Sequence, residues 1–115
     1  MCGIAGILGR IDNANRSALK RMNDAIKHRG PDGEGYWEST ADEAGWGLLL
    51  AHRRLAILDL TSAAAQPMVD PDTGHVVVLN GEIYNYAELR QSLAAGSHAL
   101  RSTGDTAVML RVLCQ

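Results

Sequence analysis

Ala107, Val108, Met109, Leu110, Val112, Leu113 and Cys114 leave the segment 106–114 apolar on nearly every side. A helix of that kind, capped by Asp105, belongs inside something. The demand is severe for a chain of 115 residues. Such a chain is one domain or part of one, and it buries roughly two-thirds of its unfolded surface. Within these residues no element follows the helix. The expectation is that a partner covers it, or that the chain is a truncated piece of a larger domain.

The remaining pattern mixes strands and helices. Gly3 to Leu8 is a short apolar run of the kind that forms a buried strand. Turn formers occupy 9–15. Ala18, Leu19, Met22, Ala25 and Ile26 then recur at helical spacing. They predict a helix over 16–28, with Asn15 or Ser17 as cap and Gly30 and Pro31 as the stop. Turn chemistry runs through 31–35, which reads as a loop. Trp46 to His52 reads as a second strand, 53–60 as short extended chain and 61–74 as loop. His75 to Leu79 is the strongest strand signal, being β-branched and bounded by turn residues. Asn80-Gly81 then predicts a tight turn, with Glu82 to Tyr84 starting a return strand. Tyr86, Leu89 and Leu93 share one helical face, which predicts a helix over 86–94. His98 to Ser102 reads as a further strand.

Composition narrows the function classes. Hydrophobic residues make up 46% and charged residues 21%, the balance of an ordinary globular chain. Net charge is −2 with no basic block, which argues against nucleic acid and against an anionic membrane surface. The apolar run from Ile4 is too short for a signal peptide or a membrane span, so a cytoplasmic location is expected. His28, His52, His75 and His98 are widely spread, and no CxxC or HxxxH pair occurs, so no metal site is expected. Cys2 and Cys114 stand at opposite ends, and a disulfide between them is poorly supported in a cytosolic chain.

Five residues invite a chemical reading. Cys2 follows the initiator methionine and is small enough for that methionine to be removed. Its freed α-amine, of ordinary pKa about 8, and its thiol, of about 8.5, would then form a nucleophile with a built-in base. The plainer reading is a small apolar residue. The Asn80 amide and the Gly81 N–H are two donors that could hold an oxyanion; the plainer reading is a hairpin turn. The Arg54 guanidinium suits a carboxylate, and the Asp105 carboxylate suits an ammonium group. Together they could grip both charged ends of an α-amino acid, or they are a solvated arginine and a helix cap. Gly30, Gly33 and Gly35 do not sit between a strand and a helix, so no phosphate loop is read there.

Six motifs occur in order: Met1-Cys2-Gly3-Ile4, Arg29-Gly30-Pro31-Asp32, Ala51-His52-Arg53-Arg54-Leu55-Ala56-Ile57-Leu58-Asp59, Gln66-Pro67-Met68, Asn80-Gly81-Glu82-Ile83-Tyr84-Asn85 and Gly104-Asp105-Thr106. Together they resemble the class II glutamine amidotransferase domain, most of all the N-terminal domain of glutamine-hydrolysing asparagine synthetases. The resemblance implies an α+β fold, the αββα sandwich of the N-terminal nucleophile hydrolases, here truncated to its first half. It implies that Cys2 attacks the side-chain amide of L-glutamine, with its α-amine as base. Asn80 and Gly81 would form the oxyanion hole. Arg54 would bind the substrate α-carboxylate, Asp105 with Glu82 the α-amino group, and Leu55, Ala56, Ile57 and Leu58 would line the pocket. No cofactor is implied for this domain; ATP and Mg belong to a synthetase domain absent from these residues. The implied partners are that domain or the remaining half of the sandwich, and a homo-oligomer is a further one. Two other readings stay open: an amidotransferase serving another acceptor, such as a sugar in a polysaccharide pathway, and an inactive remnant.

Overall fold

Alternation along Trp46–Arg54 (β3) builds the first layer, because successive side chains of a strand point to opposite faces. Leu49, Ala51 and Arg53 face one way; Leu48, Leu50 and His52 face the other. In the computed structural model, which describes residues 1–94 and 99–115, Gly3–Arg10 (β1) runs antiparallel to β3, with Gly3 opposite Arg53 and Arg10 opposite Trp46. Gly33–Glu38 (β2) runs antiparallel along its other side, with Gly33 opposite Arg54. The sheet order is therefore β1-β3-β2.

The helix Asn13–Ala25 (α1) covers one face. Leu19 packs against Ala5, Leu49 and Ala51, ringed by Ile7, Ile11 and Ile26. It starts earlier than the apolar spacing predicts because Asp12, rather than Asn15 or Ser17, is the cap: its carboxylate accepts the Asn15 N–H at 2.8 Å. It also ends earlier, at Ala25, and a 3-10 turn over Lys27–Arg29 completes the expected span. Arg53 is buried under α1. Its guanidinium donates to the Asn23 carbonyl at 3.0 Å and pairs with Asp24 at 2.7 Å and Glu34 at 3.0 Å. A buried charge needs such partners, and here they fasten α1 and β2 to β3.

The expected loop at 31–35 is mostly strand, since β2 begins at Gly33. The glycines misled because they serve close approach. A Cβ on Gly35 would lie 2.0 Å from the Gln66 carbonyl oxygen, and one on Gly30 would lie 2.4 Å from the Arg53 carbonyl carbon.

A second layer is smaller. Met68–Val69 (β4) and Val76–Val77 (β5) pair antiparallel. Tyr86–Ala94 (α2) forms over the predicted span. Asp105–Leu113 (α3) lays Ala107 and Leu110 on Met68 and Val77, with Met109 and Cys114 at the edge. Val108 has no exposure at all. The chain thus supplies much of the cover that the apolar helix needs, leaving Val112 and Leu113 exposed at 41% and 60%. Gly104, rather than Asp105, is the N-cap of α3. Asp105 is its first residue, and its carboxylate accepts the Ile83 N–H at 3.0 Å. No strand forms over 99–102, and His98 lies outside the described residues. The architecture is a mixed α+β fold. Among the described residues no helix is long and apolar enough to cross a membrane.

The predicted hairpin at Asn80-Gly81 does not form. The strand expected from His75 to Leu79 pairs only at Val76–Val77, and Glu82 to Tyr84 is irregular. Both polar groups of Leu79 are instead taken by side chains. Its N–H donates to Gln66 Oε1 at 2.6 Å, and its carbonyl lies 3.2 Å from His52 Nε2. A carbonyl can only accept, so Nε2 carries the proton and Nδ1 is bare. That Nδ1 is buried and has no hydrogen-bond partner.

Protonating His52 would put an N–H on that orphaned atom. Burial lowers its pKa most; the Leu79 carbonyl pulls the other way, and the Arg54 charge lowers it further. An unfolded histidine titrates near pH 6.5. As pH falls, the unfolded chain takes up this proton first, so the stability due to neutral His52 is complete above about pH 6.5 and is lost below it. Denaturant unfolding at a series of pH values should show that loss. His52→Gln, which keeps a donor for the Leu79 carbonyl, should flatten the slope below about pH 6.5.

Candidate active site

Antiparallel register brings the chain's first motif to its third. Gly3 pairs with Arg53, so Cys2 just before β1 meets Arg54 and Leu55 at the end of β3. The Leu55 N–H donates to Cys2 Sγ at 3.3 Å. The thiol also faces the Leu55 carbonyl at 3.8 Å. The Cys2 carbonyl is held by Arg29 Nε at 2.9 Å. Met1 precedes Cys2 at the pocket wall and is 73% exposed.

Arg29-Gly30-Pro31-Asp32 is therefore more than a helix stop. Arg29 anchors the nucleophile candidate from one end. Asp32 works at the other end: its N–H donates to the Arg54 carbonyl at 2.9 Å, and its carboxylate accepts the Ala56 N–H at 2.9 Å. Gly30 lets the two chains touch.

Arg54 then shapes the segment that follows it. Its guanidinium donates to the carbonyls of Thr61 at 2.8 Å, Leu58 at 3.4 Å and Asp59. These bonds curl 55–61 around the guanidinium. A guanidinium has five N–H groups. Three are committed to these carbonyls, and Nε–H and one Nη1–H remain.

The cavity so formed holds about 370 Å³, within the usual range for a small-molecule site. It is lined by Met1, Cys2, Arg54, Leu55, Ile57 and Leu58, by Leu79, Asn80, Gly81, Glu82 and Tyr84, by Gly104, Asp105 and Thr106 at the start of α3, and by Ala64 and Gln66. The fold thus gathers Cys2, Arg54, Leu55, Ile57, Leu58, Asn80, Gly81, Glu82 and Asp105 around one space. Ala56 is the exception: it does not line the cavity, its N–H being turned to Asp32.

Several side chains that build the site carried no sequence signal of their own. Gln66 accepts from Leu79 and donates to Thr106 Oγ1 at 3.2 Å, joining the Asn80 segment to α3. His52 holds the same Leu79 from the sheet. Asp59 binds Ser102 and Thr103 ahead of α3. All but Ser102 and Thr103 fall inside the motifs that carried the resemblance, which marked them without giving them a role.

The glycines at 30 and 35 press on backbone outside the cavity. Among the described residues no group of three or more His, Cys, Asp or Glu could hold a metal ion.

Comparison with known proteins identifies the family. The model of the glutamine amidotransferase domain matches residues 1–115. Asparagine synthetase [glutamine-hydrolyzing] 1 of Bacillus subtilis is 37% identical over 114 residues, covering 96% of this chain and 17% of that protein. The corresponding enzyme 2 of the same organism is 41% identical over 116 residues, covering 97% and 14%. Asparagine synthetase 3 of Arabidopsis thaliana is 40% identical over 111 residues, covering 95% and 18%. The chain therefore spans less than a fifth of the length of these relatives. With the family model matched from end to end, the chain belongs to the glutamine amidotransferase domain family.

Proposed function

We propose that this domain hydrolyses L-glutamine to glutamate and ammonia, with Cys2 as nucleophile. The observation that carries the reading is the single cavity shared by a thiol, a free amide, a guanidinium and a carboxylate: Cys2, Asn80, Arg54 and Asp105. Removal of Met1 gives Cys2 a free α-amine, which takes the thiol proton. The thiolate attacks the amide carbon of glutamine. The oxyanion is received by the Asn80 side-chain amide, which makes no hydrogen bond among the described residues, and by the Gly81 N–H. The ammonium of Cys2 then protonates the amide nitrogen as its bond to carbon breaks, so that ammonia departs and a γ-glutamyl thioester remains. Water, deprotonated by the same amine, releases glutamate. Arg54 keeps two N–H groups for the α-carboxylate, and Asp105 with Glu82 receives the α-ammonium.

The relatives' names give the ammonia a destination: asparagine, made by a synthetase domain that holds ATP and Mg and lies outside these residues. On this reading the described layers are the first half of an αββα sandwich. The outer face of the three-stranded sheet supports that, since Leu8 and Leu48 are opposite one another there and exposed at 77% and 37%. A sheet apolar on both faces belongs between two layers. Two unpaired thiols suit the cytoplasm.

Glutaminase assays of the intact gene product test the reading. Cys2→Ala should lower kcat by about 10⁴-fold or more, and an unchanged rate would overturn the assignment. Intact mass should show Met1 removed, since a retained Met1 leaves no amine to act as base. Asn80→Ala should lower kcat by about 10²–10³ with a much smaller change in KM. Equal changes in both would place Asn80 outside the oxyanion hole.

A further inference from the structure

Arg54 and Asp105 stand on separate elements, and one residue connects them. Asp59 has φ 48°, a left-handed conformation that few residues other than glycine, asparagine and aspartate adopt readily. That turn aims its carbonyl back at the Arg54 guanidinium, which donates to it. It also sends the carboxylate the other way. One oxygen accepts the Thr61 N–H at 3.0 Å and the Thr61 hydroxyl at 2.5 Å. The other accepts the Ser102 hydroxyl at 2.7 Å and the Thr103 N–H at 2.8 Å. Ser102 Oγ in turn accepts the Gly104 N–H at 3.0 Å, at the cap of α3 and beside Asp105. Four donors around one carboxylate, Ser102 foremost and then Thr61 and Thr103, hold its pKa far below the usual range.

We infer that Asp59 is a positioning residue that fixes the span between Arg54 and Asp105, and through it the pocket's preference for a ligand bearing a carboxylate and an ammonium on one carbon. The inference rests on the glutamine reading of the pocket. Arg54 alone reads a carboxylate; only Arg54 and Asp105 at a fixed separation read a carboxylate and an ammonium on one carbon. Asp59 touches neither charge of the ligand. It acts through its carbonyl on one partner and through its carboxylate, by way of Ser102 and Thr103, on the other.

Glutarate monoamide, which is glutamine without the α-amino group, is the probe. Asp59→Asn keeps shape and tolerates the left-handed backbone, but its NH₂ group opposes donors where an oxygen accepted them. The ratio of kcat/KM for L-glutamine to that for glutarate monoamide should fall by about tenfold, chiefly through a raised KM for L-glutamine. Ser102→Ala removes one arm of the latch and should move the ratio the same way by less. It also serves as the test if Asp59→Asn does not fold. A purely structural role would depress both substrates alike, and an unchanged ratio in both variants, with active wild type, overturns the inference while leaving the glutamine reading intact. A wild-type protein that neither binds nor hydrolyses L-glutamine overturns the reading and this inference with it.

Discussion

The Leu79 peptide is the fixed point of the site. Its N–H and carbonyl lie among packed elements, where an unpaired polar group would cost about 1–3 kcal/mol. In a longer β5 the neighbouring strand would satisfy them. Here Gln66 Oε1 and His52 Nε2 do so from two different parts of the chain. The ladder therefore stops at Val77 and the chain is free to leave the sheet. Asn80 and Gly81 emerge beside Cys2 instead of closing a hairpin. Gln66 extends the restraint to α3 through Thr106, and its carbonyl is in contact with Gly35 of β2. One side chain thus sets the relation of the small second layer to the sheet.

The rest of the site follows from the end of that sheet. Register sets Cys2 beside Leu55, and Arg29 and Asp32 pin the two chain segments there from the turn after α1. Very little of this is side-chain packing. It is backbone held by charged or amide side chains, and such bonds fix direction as well as distance. A nucleophile and its oxyanion donors need that kind of support, because their geometry matters more than their burial.

The elements most legible in the sequence were those whose pattern is local. β1, β3 and α2 follow from apolar periodicity; the span read for α2 holds, and β1 and β3 each run two residues beyond the spans read for them. Asn13 was misread for a local reason: Asp12 caps the helix and draws it in. Gly33, Gly35 and Asn80-Gly81 are turn formers by composition too, but distant partners place them. The Gln66 and Arg53 carbonyls require glycine on and beside β2. Leu79, clamped from both sides, denies Asn80-Gly81 its hairpin. The cavity residues were legible only as an ordered set, because no spacing along the chain reveals that Cys2 and Arg54 are register neighbours. Gln66, His52 and Asp59 stayed without a role for the same reason: each acts on a backbone group far from it in sequence.

The donor arithmetic of Arg54 shows why this position suits arginine. The segment 55–61 needs three donors at its centre, converging on the carbonyls of Leu58, Asp59 and Thr61. A lysine ammonium has three N–H groups in all, and satisfying those carbonyls would leave none for a ligand. A guanidinium carries five donors. It can organise the loop and still keep Nε–H and one Nη1–H uncommitted. On the proposed reading, loop and substrate are therefore read by one group, and the pocket wall cannot shift without moving the charge that holds the ligand.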